Sequence, residues 1–480
     1  MRLFFYDVLL GFLRLVTRIF FRRVEVSGAE HVPPTGPVVL VGNHPNSLLD
    51  PVMIATTCGR RVRMAAKETL FQGPLGPVLW ALGAVAVKRR QDQVEGAAED
   101  APVAGAPDRV DNSAAFAALT AILEGGDAFA IFPEGISHTR PELAPLKSGA
   151  ARIVLGAAAA GVPVQLVPCG LSYRRRDRMR SRVLVQYGQP IVVDDAFVAR
   201  WNRDPVQAAK ALTSTINLAL RAQTINATDF ETLRVLDAVK TIYRPPGRTF
   251  TLAEEAELMR RFLDQWERKS HLPEFQALYQ DTESYLAELR ALSLSDAELT
   301  GSFSWWDKAV RLLRHVFFLA VLLPVAIPGI ILHTPVLIAA VMAAKTLTTR
   351  GDVRATIQMG VVTLATLLTY LVAAGLAWWS QPTALDGVVA AAATLLALVL
   401  SGAATMRVLD GEGAARRGLW TLVALFHLDR ELESLRTRRD GIRRLLLDVV
   451  KNHIDEGMER LVPDSEHEDA EPWLDDDDAH

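Results

Sequence analysis

The chain has 480 residues, half of them apolar, with a net charge of −3 and two cysteines. The length exceeds what one compact domain usually holds, and the apolar half together with a slightly positive mean hydropathy argues against a wholly soluble protein. Cys58 and Cys169 stand far apart in apolar contexts, which excludes a disulfide framework and fits a reducing compartment; no His or Cys cluster has metal-ligand spacing.

The opening "MRLFFYDVLLGFLRLVTRIFFRRVEV" is aromatic-rich and apolar. Arg14, Arg18 and Arg22 recur every four residues, so residues 1–23 read as a helix lying in a membrane interface. Arginines within the apolar part argue against a signal peptide. From 24 to 245 short β-rich runs ("PVVLVGN", "GAVAVK", "AFAIFP", "VPVQLVP", "RVLVQYG") alternate with helical stretches such as "SGAARIVLGAAAAG". That alternation predicts an α/β domain, a mixed sheet flanked by helices. Residues 91–112, rich in Ala, Gly, Pro and acids, read as a flexible loop. Residues 246–306 read as soluble helices, with capping boxes at Thr251-x-x-Glu254 and Ser295-x-x-Glu298.

An all-α transmembrane region is expected over 307–406. Val316 to Ala344 contains no Asp, Glu, Lys or Arg, and as a helix it reaches about 45 Å. Pro324, Pro328 and Pro335 interrupt it, which predicts a broken or re-entrant hairpin. Two cleaner spans follow at 357–379 and 386–406, with Trp378 and Trp379 as interfacial anchors. Their connection, "SQPTALD", lacks Lys and Arg, whereas Lys308, Arg311, Arg314, Lys345, Arg350, Arg354 and Arg407 flank the other ends. The positive-inside rule places the α/β domain on the cytoplasmic face of an inner or equivalent membrane. Residues 407–463 read as amphipathic cytoplasmic helices, with membrane contact as one use, and 464–480 as an acidic disordered tail.

In an α/β sheet, sites form beyond the carboxyl ends of strands. One strand end delivers His44 and then Asp50, a second Glu134 and Gly135, a third Lys88, Arg89 and Arg90. Histidine accepts a proton near neutral pH, and a carboxylate fixes its tautomer. No Gly-x-Ser-x-Gly nucleophile elbow occurs, so the base would act directly on a bound hydroxyl. Residues six apart on one continuous helix point about 120° away from each other. His44 must therefore lie in a turn, with Asp50 near the start of the following helix. Asp50-Pro51 also reads as an N-cap with Pro at the first helical position.

"NHPNSLLDP", "GAVAVKR", "FPEG" and "VPVQLVP" fall in the order of the four motif blocks of the glycerolipid acyltransferases, and residues 24–245 resemble that family. The resemblance implies that His44 is a general base on the acceptor hydroxyl, that Asp50 orients it, and that Arg89, Glu134 and Gly135 bind a phosphate-bearing acceptor. Two departures stand out. The commoner spacing leaves four residues between His and Asp, against five here, and the usual third-block arginine position is Ser137. Both departures resemble the yeast-type glycerol-3-phosphate/dihydroxyacetone-phosphate subgroup, as do "FPEGISHTRP", "PLKSGAARI" and "IYRPPGRTFTL". On that reading His138, Arg140 and Lys147 join the acceptor site, with Arg140 in place of the missing arginine.

The implied reaction is acyl transfer from acyl-CoA or acyl carrier protein, as co-substrate, to glycerol 3-phosphate; the alternative acceptor is lysophosphatidate or another lysolipid. No other cofactor and no nucleic acid is implied, lipids are expected partners, and oligomeric state is open. The basic run 173–182, "YRRRDRMRSR", fits donor phosphates, lipid headgroups or plain solvation. A hydrolase using the same histidine and a non-catalytic membrane protein are the rival classes.

Overall fold

The computed structural model describes residues 2–73, 75–88, 111–244, 250–292, 296–299, 305–427 and 429–453. It divides into two compact units, one comprising 1–226 with 340–360 and the other 227–339 with 361–480. Helix α1 (Arg2–Phe20) is followed by β1 (Arg23–Ser27), β2 (Val38–Gly42), α2 (Leu49–Thr57), β3 (Val62–Lys67), α3 (Gly76–Ala81) and β4 (Val85–Val87). Next come α4 (Ser113–Glu124), β5 (Ala128–Ile131), α5 (Gly149–Ala159), β6 (Gln165–Tyr173), β7 (Arg182–Tyr187), β8 (Ile191–Val192), α6 (Asp195–Arg203) and α7 (Pro205–Arg221). The strands form one mixed sheet in the order β1-β7-β6-β2-β5-β3-β4, with β8 beside β6. Pairings are parallel except those of β6 with β7 and with β8.

Alternation along β2 explains how a five-residue strand sits at the centre of the sheet. Val38 and Leu40 face a layer built with Tyr6 and Leu10 of α1 and Leu49, Met53 and Ile54 of α2. Val39 and Val41 face Leu119 of α4, Val154 of α5 and Leu212 of α7. Both faces are covered, so the strand reads as a continuous apolar run. Helix α1 buries Tyr6, Leu10 and Phe20, and leaves Phe4, Val8, Phe12, Leu15 and Ile19 exposed as a second apolar stripe. The expected loop at 91–112 falls almost wholly outside the described residues.

The first unit also takes in residues 340–360. Ala355 is fully buried in the same layer as α1 and α2, with Met359 packed against it. The expected acyltransferase boundary at 245 differs from the break near Asn226. Helix α8 (Phe230–Tyr243) instead packs Val239 and Ile242 with Leu258 and Phe262 of α9 (Leu252–Lys269) and Leu278 and Tyr285 of α10 (Pro273–Ala291). The capping box at Thr251 is formed: Glu254 N–H donates to Thr251 Oγ1 at 3.1 Å, and Thr251 N–H to Glu254 Oε2 at 2.8 Å. The second box, at Ser295, lies outside the described residues. Helix α11 (Asp296–Leu299) is a single turn.

The expected broken hairpin is instead one helix, α12 (Trp305–Thr346), with all three prolines inside it. They stand four and seven residues apart, so they share one face. The stretch they weaken receives side-chain donors from a neighbouring helix: Ser401 Oγ bonds Val325 O at 2.7 Å and Thr405 Oγ1 bonds Ala326 O at 3.1 Å. Such donors let prolines persist in apolar helices. Helices α13 (Gly351–Trp379) and α14 (Ala384–His427) follow, the latter running on well past the expected span end at 406. Among the described residues, three segments are long and apolar enough to cross a membrane: Ala320–Thr346, Gly351–Trp379 and Ala384–Val408. Helix α15 (Asp429–His453), within the stretch expected as amphipathic helices, buries Leu435, Ile442 and Leu446 against α8–α10. The acidic tail lies outside the described residues.

Candidate active site

Strands β2 and β5 are parallel neighbours, so the loops after them emerge side by side on one rim. β2 ends at Gly42 and α2 begins at Leu49; His44 lies in the turn between, and Asp50 in the first helical turn. This is the arrangement that their spacing requires. His44 Nδ1 and Asp50 Oδ2 are 2.8 Å apart. Asp50 is fully buried. Its Oδ2 also accepts from Asn46 N–H at 2.7 Å, and its Oδ1 from the Tyr173 hydroxyl at 2.7 Å. The N-cap of α2 is Leu48, with no side-chain capping bond; the Asp50 carboxylate serves the turn and the imidazole instead.

The electrostatics fix the imidazole. Burial pushes the Asp50 carboxyl above its ordinary value, and the bonds from His44, Asn46 and Tyr173 pull the other way. Burial and the adjacent Asp50 push the Tyr173 phenol well up, so it stays a neutral donor. An ionised Asp50 can only accept. Nδ1 therefore carries the proton, and Nε2 keeps the lone pair that a general base needs. The ring stacks on Phe132, with centroids 4.2 Å apart and planes 13° from parallel; His44 is 9% exposed.

Glu134, expected among the acceptor contacts, has both oxygens committed to protein donors. Oε1 accepts from His44 N–H at 2.7 Å; Oε2 accepts from His138 Nε2 at 2.5 Å and from Ala144 N–H at 2.6 Å. Only 2% of the residue is exposed. His138 Nδ1 accepts from Arg140 N–H at 3.1 Å, which puts its own proton on Nε2, facing Glu134. His138 N–H in turn donates to His44 O at 3.1 Å. The two loops are thus cross-tied, with Glu134 and His138 as the ties. The Arg140 side chain is exposed.

Gly135 adopts a left-handed φ of 72°, and a Cβ there would lie 2.5 Å from Lys147 Nζ. The lysine chain therefore lies over the glycine, and only a residue without a side chain allows that approach. Lys147 N–H is anchored to Pro133 O at 2.8 Å. Arg89 lies outside the described residues. Its neighbour Lys88 is exposed and follows β4, which shares the rim but is separated from β5 by β3.

Sequence reasoning missed three residues that build this site: Tyr173, Asn46 and Arg350. Arg350 precedes α13. Its Nη2 donates to Ser137 O at 2.9 Å and Ser137 Oγ at 3.1 Å, and its Nε and Nη2 clasp Asp352 at 3.2 and 2.6 Å. A Cβ at Gly351 would stand 3.2 Å from Thr139 Cγ2. An arginine expected only as a flank of a membrane span therefore grips the loop that carries Glu134 and His138. Its one available signal was negative: the loop has serine at 137 where the resembled motif has arginine.

Residues 23–172 match the Acyltransferase family model, and residues 235–455 match that of the glycerol-3-phosphate acyltransferase 2 C-terminal domain. Glycerol-3-phosphate O-acyltransferase 2 of Saccharomyces cerevisiae is 32% identical over 48% of this chain and 32% of its own. Glycerol-3-phosphate O-acyltransferase 1 of the same yeast is 28% identical over 70% of this chain and 54% of its own. Human 1-acyl-sn-glycerol-3-phosphate acyltransferase alpha is 30% identical over 32% of this chain and 50% of its own. This chain thus spans between a third and a little over half of the length of these relatives. Among solved structures, the 1-acyl-sn-glycerophosphate acyltransferase of Thermotoga maritima aligns over 44% of this chain and 81% of its own, at 20% identity and a TM-score of 0.29. In both segments, an acyltransferase domain and then the C-terminal domain of glycerol-3-phosphate acyltransferase 2, the chain is similar to glycerolipid acyltransferases.

Proposed function

We propose that the protein is a membrane-bound O-acyltransferase that moves a fatty acyl group from acyl-CoA or acyl carrier protein to a hydroxyl of glycerol 3-phosphate. The observation that carries this reading is the His44–Asp50 pair, with Nδ1 of the imidazole held by a buried carboxylate at 2.8 Å. Nε2 takes the proton of the acceptor hydroxyl as its oxygen attacks the thioester carbonyl. The new C–O bond forms, the C–S bond breaks, and the leaving thiolate takes the proton back from the imidazolium. No serine or cysteine nucleophile is needed, so no acyl-enzyme forms. Glu134 and His138 hold the main chain around the base, and Gly135, Lys147 and Arg140 are left to meet the acceptor.

The yeast relatives' names and the match at 235–455 favour the first acylation. The human relative's name supports acylation of lysophosphatidate as a second reading. Arg350 bonds Ser137 within one unit. This supports a connection between the first two spans on the catalytic domain's side, as the basic flanks suggest for a cytoplasmic site. The exposed stripe of α1 suits the interface of the same membrane.

A panel of glycerol 3-phosphate, dihydroxyacetone phosphate and lysophosphatidate, with labelled acyl-CoA and the purified full chain, tests the reading. Transfer to glycerol 3-phosphate, abolished by His44→Ala, is expected. Strong preference for lysophosphatidate overturns the choice of acceptor. Thioester hydrolysis indifferent to any acceptor overturns the transferase.

A further inference from the structure

Arg176 sits in the β6–β7 connection, three residues beyond Tyr173. Its carbonyl accepts from Asn46 Nδ2 at 3.0 Å, and its Nη1 reaches His138 O at 3.4 Å. It is thus tied at one end to the His44 turn and at the other to the Glu134 loop. Burial depresses the guanidinium's pKa, with Asp50, Asp352 and Asp177 acting in the opposite direction. None of the three forms an ion pair with it: Asp50 is held by His44, Asn46 and Tyr173, Asp352 by Arg350, and Asp177 stands exposed. Among the described residues, the weak bond to His138 O is the guanidinium's one hydrogen bond. A partly desolvated cation without a counter-ion is costly, and an arriving anion offsets that cost.

Asn46 adds an independent observation. It is fully buried, and its Oδ1 has no hydrogen-bond partner among the described residues. Its Nδ2 faces a carbonyl, which can only accept, so the amide's orientation is set and Oδ1 is an orphan acceptor. An orphan acceptor thus lies two residues from the base in its own turn, and an under-paired cation lies in the β6–β7 connection, bonded to that turn and to the Glu134 loop.

We propose that Arg176 binds the phosphate of the acceptor, beside the Asn46 amide oxygen, which is placed for a polar hydrogen of the same molecule. The inference rests on the transferase reading above and names the group that selects a phosphate-bearing acceptor. Acyl-CoA also carries phosphates, but a long pantetheine arm separates them from the reacting thioester. Glycerol 3-phosphate keeps its phosphate within three carbons of either hydroxyl. A cation tied to both catalytic loops is therefore matched to the acceptor.

The test compares the full-length wild type with Arg176→Ala and Arg176→Lys in labelled transfer assays, varying glycerol 3-phosphate and acyl-CoA separately, with thermal midpoints confirming the fold. Loss of one charge-assisted contact predicts a rise of about ten- to a hundredfold in KM for glycerol 3-phosphate. A smaller change in kcat, an unchanged KM for acyl-CoA and partial recovery in Arg176→Lys are expected with it. Thermal protection of the wild type by glycerol 3-phosphate should weaken in Arg176→Ala. An unchanged acceptor KM, or a rise confined to acyl-CoA, overturns the assignment while leaving the transferase intact. A wild type that acylates no phosphate-bearing acceptor overturns both.

Discussion

Replacing Arg350 with alanine tests whether the segment between the first two spans is part of the catalytic unit. Asp352 keeps 4% of its side chain exposed and has Arg350, 23% exposed, as its ion-pair partner at 2.6 Å. Removing one partner of a fully buried pair costs about 3–5 kcal/mol, because the other charge is left behind. The arginine's partial exposure lowers that, and the two lost bonds to Ser137 add back about 1 kcal/mol. A net destabilisation of about 2–4 kcal/mol corresponds to a fall of about 5–10 °C in the midpoint of a domain this size. Arg350→Ala/Asp352→Asn removes the stranded charge and should melt closer to wild type than the single variant, a non-additivity that contacting residues show. Both variants should lose transferase activity, because both leave Ser137 without its brace. The assay is thermal unfolding of detergent-solubilised protein beside labelled acyl transfer. A single variant that melts and turns over like the wild type would refute the reasoning.

Asp50→Asn should lower kcat by about a hundred- to ten-thousandfold with KM little changed, since a neutral amide no longer enforces the tautomer; steady-state transfer rates decide it. Tyr173→Phe removes one of the donors that favour the Asp50 anion against burial. The carboxyl should then rise further, so activity that needs the anion is lost at a higher pH as pH falls. A pH profile of kcat/KM should show the acid limb displaced upward, and a limb that stays put or moves down contradicts the assignment. Gly135→Ala forces a side chain into a left-handed φ at about 1–2 kcal/mol and pushes Lys147 aside. It should reduce acceptor turnover more than it lowers the thermal midpoint, and equal activity to wild type would count against Lys147.

The central strands, the helix after "PLKS" and the place of His44 in the turn were legible because each rests on local pattern. Val38 to Val41 announce a covered strand, and the chain must turn at Asn43-His44-Pro45. β3 escaped notice because Arg63 and the run Ala65-Ala66-Lys67 dilute its alternation, leaving only Val62 and Met64 buried. The prolines of α12 read locally as breaks, yet hydrogen bonds from Ser401 and Thr405, more than seventy residues away, sustain one helix. Arg350 and Arg176 were illegible for a related reason. The setting of Arg350 reads as the flank of a membrane span, and the run that holds Arg176 fits donor phosphates, lipid headgroups or plain solvation; only a contact spanning 213 residues distinguishes Arg350 from any other flank arginine.

The six-residue offset between His44 and Asp50 follows from what the carboxylate does for the turn. Oδ2 accepts from both His44 Nδ1 and Asn46 N–H, so the turn wraps around Asp50 and needs no separate cap. The length of that turn is accommodated at Ser47, whose φ of 44° is in the left-handed region. A non-glycine residue there carries strain, and strain persists where surrounding contacts over-determine the backbone. Here they do: Asn46 Nδ2 is tied to Arg176, Leu49 N–H to Asn46 O at 3.0 Å, and His44 N–H to Glu134 at 2.7 Å. Glu134 holds the main chain of the histidine and Asp50 holds its ring. The two carboxylates expected to divide between base and acceptor instead divide between backbone and side chain of the same residue, which is why the proposal gives recognition of the acceptor to a cation, Arg176.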